Sequence, residues 1–292
     1  MALILGIITS YEWNLDFVRP NIIDAKEIIE NLLNHCSCGL VQTGAFLGRA
    51  APNGLFGLGV DKQSVPCILA SRGLIPNSFS MCFATDGLGT ISFGDQGSSG
   101  QGETPFSLGQ SHPTYYVTIT KIDVGGSASD LEFTAVFDSG TSFTYLNDPV
   151  YTQISETFNN LTQGKRFTSE TSKLPFDYPY VNLTMKGGNP YHVNVPIVIV
   201  SDEDINVYCL GVVKSGDENL IGQNFMSGYT IVFDREKNVL GWKASSCYAV
   251  SASSIMPVSP AKNSGVPPAT TVKPESRTGN DDNSSISAPA PA

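Results

Sequence analysis

Phe133-Thr134-Ala135-Val136-Phe137-Asp138-Ser139-Gly140-Thr141-Ser142-Phe143-Thr144-Tyr145-Leu146 decides how this chain is read. An apolar run of strand-forming residues leads straight into an acidic residue. A tight Ser-Gly-Thr turn follows, and a second short apolar run leaves it. The pattern places one carboxylate, that of Asp138, on a turn at a strand end. Gly140 lets the turn close and lets its own N–H approach the carboxylate. Ser139 and Thr141 bring hydroxyls to the same region. Asp-Ser-Gly is also an ordinary β-turn sequence, and on this stretch alone the bland and the chemical readings weigh equally.

A later stretch tips the balance. Asn219-Leu220-Ile221-Gly222-Gln223-Asn224-Phe225 runs on into Gly228-Tyr229-Thr230-Ile231-Val232-Phe233-Asp234. In pepsin-like aspartic proteases the Asp-Ser/Thr-Gly loop is crossed by a strand ending in two apolar residues and a glycine. Leu220-Ile221-Gly222 resembles that element, in the right order after Asp138. Upstream, Asn53-Gly54-Leu55-Phe56-Gly57-Leu58-Gly59 resembles the crossing element of the first lobe, and Cys38-Gly39-Leu40-Val41-Gln42-Thr43-Gly44 the strand before it. The chain is most similar to the plant aspartyl proteases, including their membrane-anchored members, from Cys38 to Cys247.

The resemblance implies an all-β fold with short helices, in which a complete C-terminal lobe joins part of an N-terminal lobe. It implies peptide or protein substrates and neither metal nor cofactor. Carried over residue by residue, Asp138 is the catalytic position and Ser139, Gly140 and Thr141 its supporting loop. Leu220, Ile221 and Gly222, with Leu55, Phe56 and Gly57, are the crossing elements. Such enzymes work with two carboxylates, one ionised as general base and one protonated to polarise the substrate carbonyl. This sequence holds one Asp-Ser/Thr-Gly motif. Asp16 and Asp24 lack the glycine turn and are not credible partners. The expectation is therefore an aspartic endopeptidase by family with little or no activity alone. A homodimer that supplies the second carboxylate is weighed and disfavoured. The rival reading is a pseudoprotease that binds peptides or regulates. The missing motif suggests a truncated or alternatively spliced product.

Composition sets the outer limits. The 292 residues are 41% hydrophobic and 15% charged, with 28 Gly and 18 Pro, which favours a β-rich globular protein. A net charge of -10 argues against nucleic acid as a partner. The apolar stretch Ala2–Ile8 is short for a signal peptide, and no run reaches the ~18 apolar residues of a membrane span. Sequons at Asn160, Asn182 and Asn283 fit a secretory setting. The six cysteines have no zinc-site spacing. Relatives usually carry a cysteine near Phe176–Leu183, and its absence leaves Cys209 without a partner. Cys247 is expected to lack a partner from the first lobe, and a Cys67–Cys82 bridge stays open.

The chain divides into four stretches. Residues 1–37 read as an atypical N-terminal segment expected to be helical, with apolar residues at helical spacing over Asp24–Leu33. Residues 38–112 read as the remnant of the first lobe, with a helix at Ser64–Ser71 and a hairpin through Phe79–Phe83 and Thr90–Gly94. Residues 113–248 read as the second lobe, with a helix from Pro149 that Asp148 caps. Residues 249–292 lack any aromatic residue and are expected to be disordered. Strands left bare by a missing first lobe would make the protein poorly soluble unless residues 1–37 cover them.

Overall fold

The computed structural model describes residues 4–6, 12–17, 55–108, 114–162, 168–169, 178–202 and 205–248, and the statements below concern those residues. The helix at Asp24–Leu33, the strand at Cys38–Gly44, Asn53, Gly54 and the tail 249–292 lie outside them, as do Cys36, Cys38, His35 and His112.

The first half contains β1 (Ile4–Gly6), β2 (Glu12–Phe17), β3 (Leu55–Gly57), α1 (Val65–Ser71), β4 (Ser78–Phe83), β5 (Leu88–Phe93) and β6 (Gly102–Pro105). Next come β7 (Tyr116–Val124), β8 (Ser127–Ser129), β9 (Phe133–Phe137), β10 (Thr144–Leu146) and α2 (Val150–Leu161). The remainder is β11 (Thr168–Ser169), β12 (Val181–Met185), β13 (Pro190–Val193), β14 (Ile197–Asp202), β15 (Ile205–Leu210), β16 (Val212–Lys214), β17 (Leu220–Ile221), α3 (Gln223–Met226), β18 (Tyr229–Asp234) and β19 (Val239–Ala244). The protein is mostly β-sheet with short helices, as the sequence implies.

Two sheets dominate. One runs β13-β12-β7-β9-β17-β10-β16, with β8 beside β7, and carries the turn at Asp138. The other runs β2-β5-β4-β18-β19-β6. This second sheet crosses the boundary drawn at residue 112. Strand β4 pairs antiparallel with β18, placing Phe79 opposite Phe233, and β6 pairs with β19. Residues far apart in sequence thus share one hydrogen-bonded layer. Strand β4 is buried along its whole length, with Phe79, Met81 and Phe83 on one face and Ser78, Ser80 and Cys82 on the other. Phe79 stacks on Phe233 at 4.7 Å, and Tyr115 meets Phe233 edge-on at 4.7 Å. Aromatic pairs of this kind add about 0.5–1.5 kcal/mol beyond their area burial.

The N-terminal segment differs from expectation. Residues 4–6 and 12–17 are strands, not helix. Strand β2 pairs in parallel with β5, from Glu12 opposite Leu88 to Phe17 opposite Phe93. The signal was present, since Trp13, Leu15 and Phe17 alternate with polar residues at a strand's period of two. The pairing lays a strand along the edge of β5, which would otherwise present unpaired backbone groups.

Helix α2 also begins differently. Pro149 occupies the N-cap position and the helix starts at Val150. Asp148 does not cap it. Its Oδ1 accepts from Thr152 Oγ1 at 2.6 Å, and its other oxygen pairs with Lys214 Nζ. Val150, Ile154 and Phe158, at i, i+4 and i+8, form the buried stripe.

Cys82 and Cys247 form a disulfide, which joins β4 to the segment after β19. Cys82 is therefore not bonded to Cys67, and Cys247 does not lack a partner. Cys67 and Cys209 are free thiols. Arg235 explains the first. Its Nη2 donates to Cys67 Sγ at 2.8 Å, and that thiol donates to Val60 O at 3.3 Å. Among the described residues no helix is long and apolar enough to cross a membrane.

Candidate active site

Strand β9 is buried from Ala135 to Phe137, and it delivers Asp138 to the surface at its last step. There the chain turns. Thr141 N–H donates to Asp138 O at 3.2 Å, so residues 138–141 form a β-turn with Ser139 and Gly140 at its centre. The carboxylate folds back over this turn. Oδ1 accepts the Gly140 N–H at 3.0 Å and Oδ2 accepts the Thr141 hydroxyl at 2.6 Å. Both oxygens are thereby fixed in direction, while Asp138 stays half-buried and open to solvent.

Strand β17 supports the turn from beneath. It lies parallel to β9, with Leu220 opposite Val136 and Ile221 opposite Phe137, and antiparallel to β10, with Tyr145 opposite Leu220. Asp138 N–H donates to Ile221 O at 3.0 Å. Gly222 then passes under the loop. A Cβ built there would stand 2.2 Å from Phe143 O and 2.8 Å from Thr141 O. Only glycine fits. Leu220-Ile221-Gly222 thus meets the loop of Asp138, Ser139, Gly140 and Thr141 in one tight crossing.

The upstream element does not join this site. Leu55, Phe56 and Gly57 form β3, which pairs with β1 in a separate two-stranded sheet. A Cβ at Gly57 would meet nothing within 4 Å, so among the described residues no chain crosses there at close range. Phe56 packs edge-on against Phe93 instead. Asp16 lies on β2, in the other large sheet, and Asp24 is outside the described residues.

Sequence reading missed a polar girdle around the crossing. Thr144 Oγ1 accepts the Gly222 N–H at 3.2 Å and donates to Asn224 Oδ1 at 3.0 Å. Asn224 Nδ2 in turn donates to Gly211 O at 2.7 Å. Asn219 Nδ2 donates to Thr134 O at 3.0 Å, and its Oδ1 accepts the Asn147 N–H at 2.8 Å. Gln223 Nε2 donates to Ser139 O at 2.7 Å. The available signal was Asn219, Gln223 and Asn224 flanking Leu220-Ile221-Gly222. Amides beside an apolar strand are buried only where they have partners.

Above the turn lies a shallow, open depression lined by Gly140, Thr141, Ser142, Phe143, Tyr145 and Leu220. Phe143 is 38% exposed at its rim. A carboxylate with both oxygens oriented can take a proton from water or give one up, and an apolar rim can hold an extended chain beside it.

The family model described as "Eukaryotic aspartyl protease" matches residues 38–244. Aspartyl protease family protein 1 of Arabidopsis thaliana is 54% identical over 82% of this chain and 49% of its own length. Aspartic proteinase-like protein 1 of the same plant is 36% identical over 72% of this chain and 42% of its own. Rhizopuspepsin-1 of Rhizopus niveus is 24% identical over 63% of this chain and 50% of its own. The chain spans about half the length of the curated relatives it matches.

Proposed function

This chain belongs to the eukaryotic aspartyl protease family, and from that membership we propose that Asp138 is the carboxylate of one half of a peptide-hydrolysing site. The observation that carries the proposal is the pair of donors, Gly140 N–H and Thr141 Oγ1, one on each oxygen of Asp138. In the proposed reaction an ionised carboxylate removes a proton from water. The water oxygen attacks the peptide carbonyl, whose oxygen takes a proton from a second, neutral carboxyl group. Collapse of the tetrahedral intermediate breaks the C–N bond and returns a proton to the leaving amine. Two carboxyl groups are required, and this sequence holds one Asp-Ser/Thr-Gly motif. The isolated chain is therefore proposed to hydrolyse peptides little or not at all. The open depression beside Asp138, with its exposed Phe143, supports a second reading in which the half-site binds extended peptides without cleaving them. The Cys82–Cys247 disulfide supports a secretory or extracellular setting.

Casein digestion from acidic to neutral pH, with Asp138→Asn as control, tests the proposal. Cleavage that Asp138→Asn abolishes would show that a second carboxylate reaches Asp138, and inertness alone would be wrong. Cleavage that survives Asp138→Asn would remove Asp138 from the chemistry. No cleavage in either form, with binding of an extended peptide at the depression, is the outcome of the second reading.

A further inference from the structure

We propose that Gln223 is the positioning residue of the Asp138 turn, acting through the Ser139–Gly140 peptide; the inference rests on the reading of Asp138 given above. A β-turn whose third residue is glycine can exist with its central peptide in either of two orientations, because glycine accepts both signs of φ. Here the central peptide is Ser139–Gly140. In the observed orientation its N–H points at Asp138 Oδ1 and its C=O points away, into the protein. A flip of this one peptide would withdraw the donor and turn a carbonyl dipole toward the carboxylate.

Gln223 holds the orientation from the other end. Its side chain is 4% exposed, and Nε2 donates to Ser139 O at 2.7 Å. Its backbone N–H donates to Thr141 O at 2.8 Å. One residue therefore binds the two carbonyls that bracket Gly140. The path from amide to peptide to carboxylate is a continuous hydrogen-bond chain, in which each member polarises the next. Gln223 is itself held: it follows Gly222, which fits only under the loop, and its carbonyl accepts Ser227 N–H at 3.0 Å and Ser227 Oγ at 3.2 Å. The Gln223 side chain bonds Ser139 O and not the Asp138 carboxylate, so its action on Asp138 is indirect.

Amide hydrogen exchange, followed by NMR through an acid titration, tests this without any need for turnover. In the wild-type protein the Gly140 amide should be protected from exchange by its bond to Asp138 Oδ1. In Gln223→Leu, exchange at Gly140 is expected to accelerate roughly tenfold, the factor set by one lost hydrogen bond. Ile231 and Leu240 in the other large sheet should keep their wild-type exchange. Gln223→Met removes the same donor with an unbranched side chain and serves if Gln223→Leu does not fold. Gln223→Glu restores a donor in acid, where its carboxyl is neutral, and should recover Gly140 protection there. A Gly140 amide that is unchanged in a folded variant overturns the proposal. So does a loss of protection shared equally by Ile231 and Leu240, which would mean general loosening. If Gly140 responds as expected while the wild-type chain cleaves nothing, the positioning role stands and only the hydrolytic reading of Asp138 is affected.

Discussion

Gly222 and Phe143 approach so closely that a side-chain carbon on the glycine would lie 2.2 Å from the Phe143 carbonyl oxygen. Backbone meets backbone there, and neither partner can rotate away. Gly222→Ala is expected to destabilise the protein by about 1–3 kcal/mol or more, as overpacking does. Gly57→Ala, where a Cβ meets nothing, should stay within about 0.5 kcal/mol of wild type. Urea unfolding of the two variants side by side checks the contrast. Equal losses would mean that β3, too, is crossed at close range.

The Thr141 hydroxyl donates to Asp138 Oδ2 at 2.6 Å. Thr141→Val keeps the shape and removes the donor. A hydrogen bond to a charged group contributes about 1.5–3 kcal/mol. Wherever a second carboxylate is supplied and casein is cleaved, Thr141→Val should slow cleavage about tenfold to a hundredfold. A rate equal to wild type would make that hydroxyl idle.

The Cys82–Cys247 bridge closes a separation of 165 residues. Replacing both cysteines by alanine should lower stability by about 2–5 kcal/mol. Because the bridge ties β4 to the segment after β19, the melting temperature should fall on adding a reductant to the wild type and not on adding it to the double variant. A wild type indifferent to reductant would mean that the bridge is not formed in solution.

Burial pushes the Tyr115 hydroxyl up to about 12 from an ordinary 10.0, and burial likewise holds Tyr191 well above its usual range. The folded protein therefore keeps these protons at a pH where the unfolded chain has released them. The Tyr115 contribution is complete below pH 10.0 and is lost as pH rises through 10.0 toward about 12. Melting temperature should hold level to the foot of that window and then fall. Tyr115→Phe should flatten part of the fall. It also gives up the bond from the Tyr115 hydroxyl to Leu58 O at 2.7 Å, which lowers stability at neutral pH. A melting temperature level through the window would contradict the assignment.

Much of this architecture was legible where the physics is local. The apolar run 133–137, the glycine turn after it and the Leu220-Ile221-Gly222 element each announce themselves within a few residues, and the structure brings them together. The hairpin of β4 and β5 and the helix at Val65–Ser71 were legible for the same reason. What escaped depends on distant partners. Strand β2 shows a local alternation at Trp13, Leu15 and Phe17, but the partner that completes it, β5 (Leu88–Phe93), lies far along the chain. Cys82 could not be matched with Cys247 by spacing. The amides of Asn219, Gln223 and Asn224 look like ordinary polar residues until the crossing buries them.

The shared sheet has a consequence for how the protein is made. Strands β4 and β5 emerge from the ribosome long before β18 and β19, yet β4 sits between β5 and β18. Phe79 and Met81 therefore have no permanent cover until the segment around Ile231 and Phe233 has been synthesised. Through that interval the nascent chain carries a hydrophobic strand with one free edge. Folding must finish from the C-terminal end, and a molecule interrupted before Asp234 would be left with a sticky half-sheet, a ready client for chaperones.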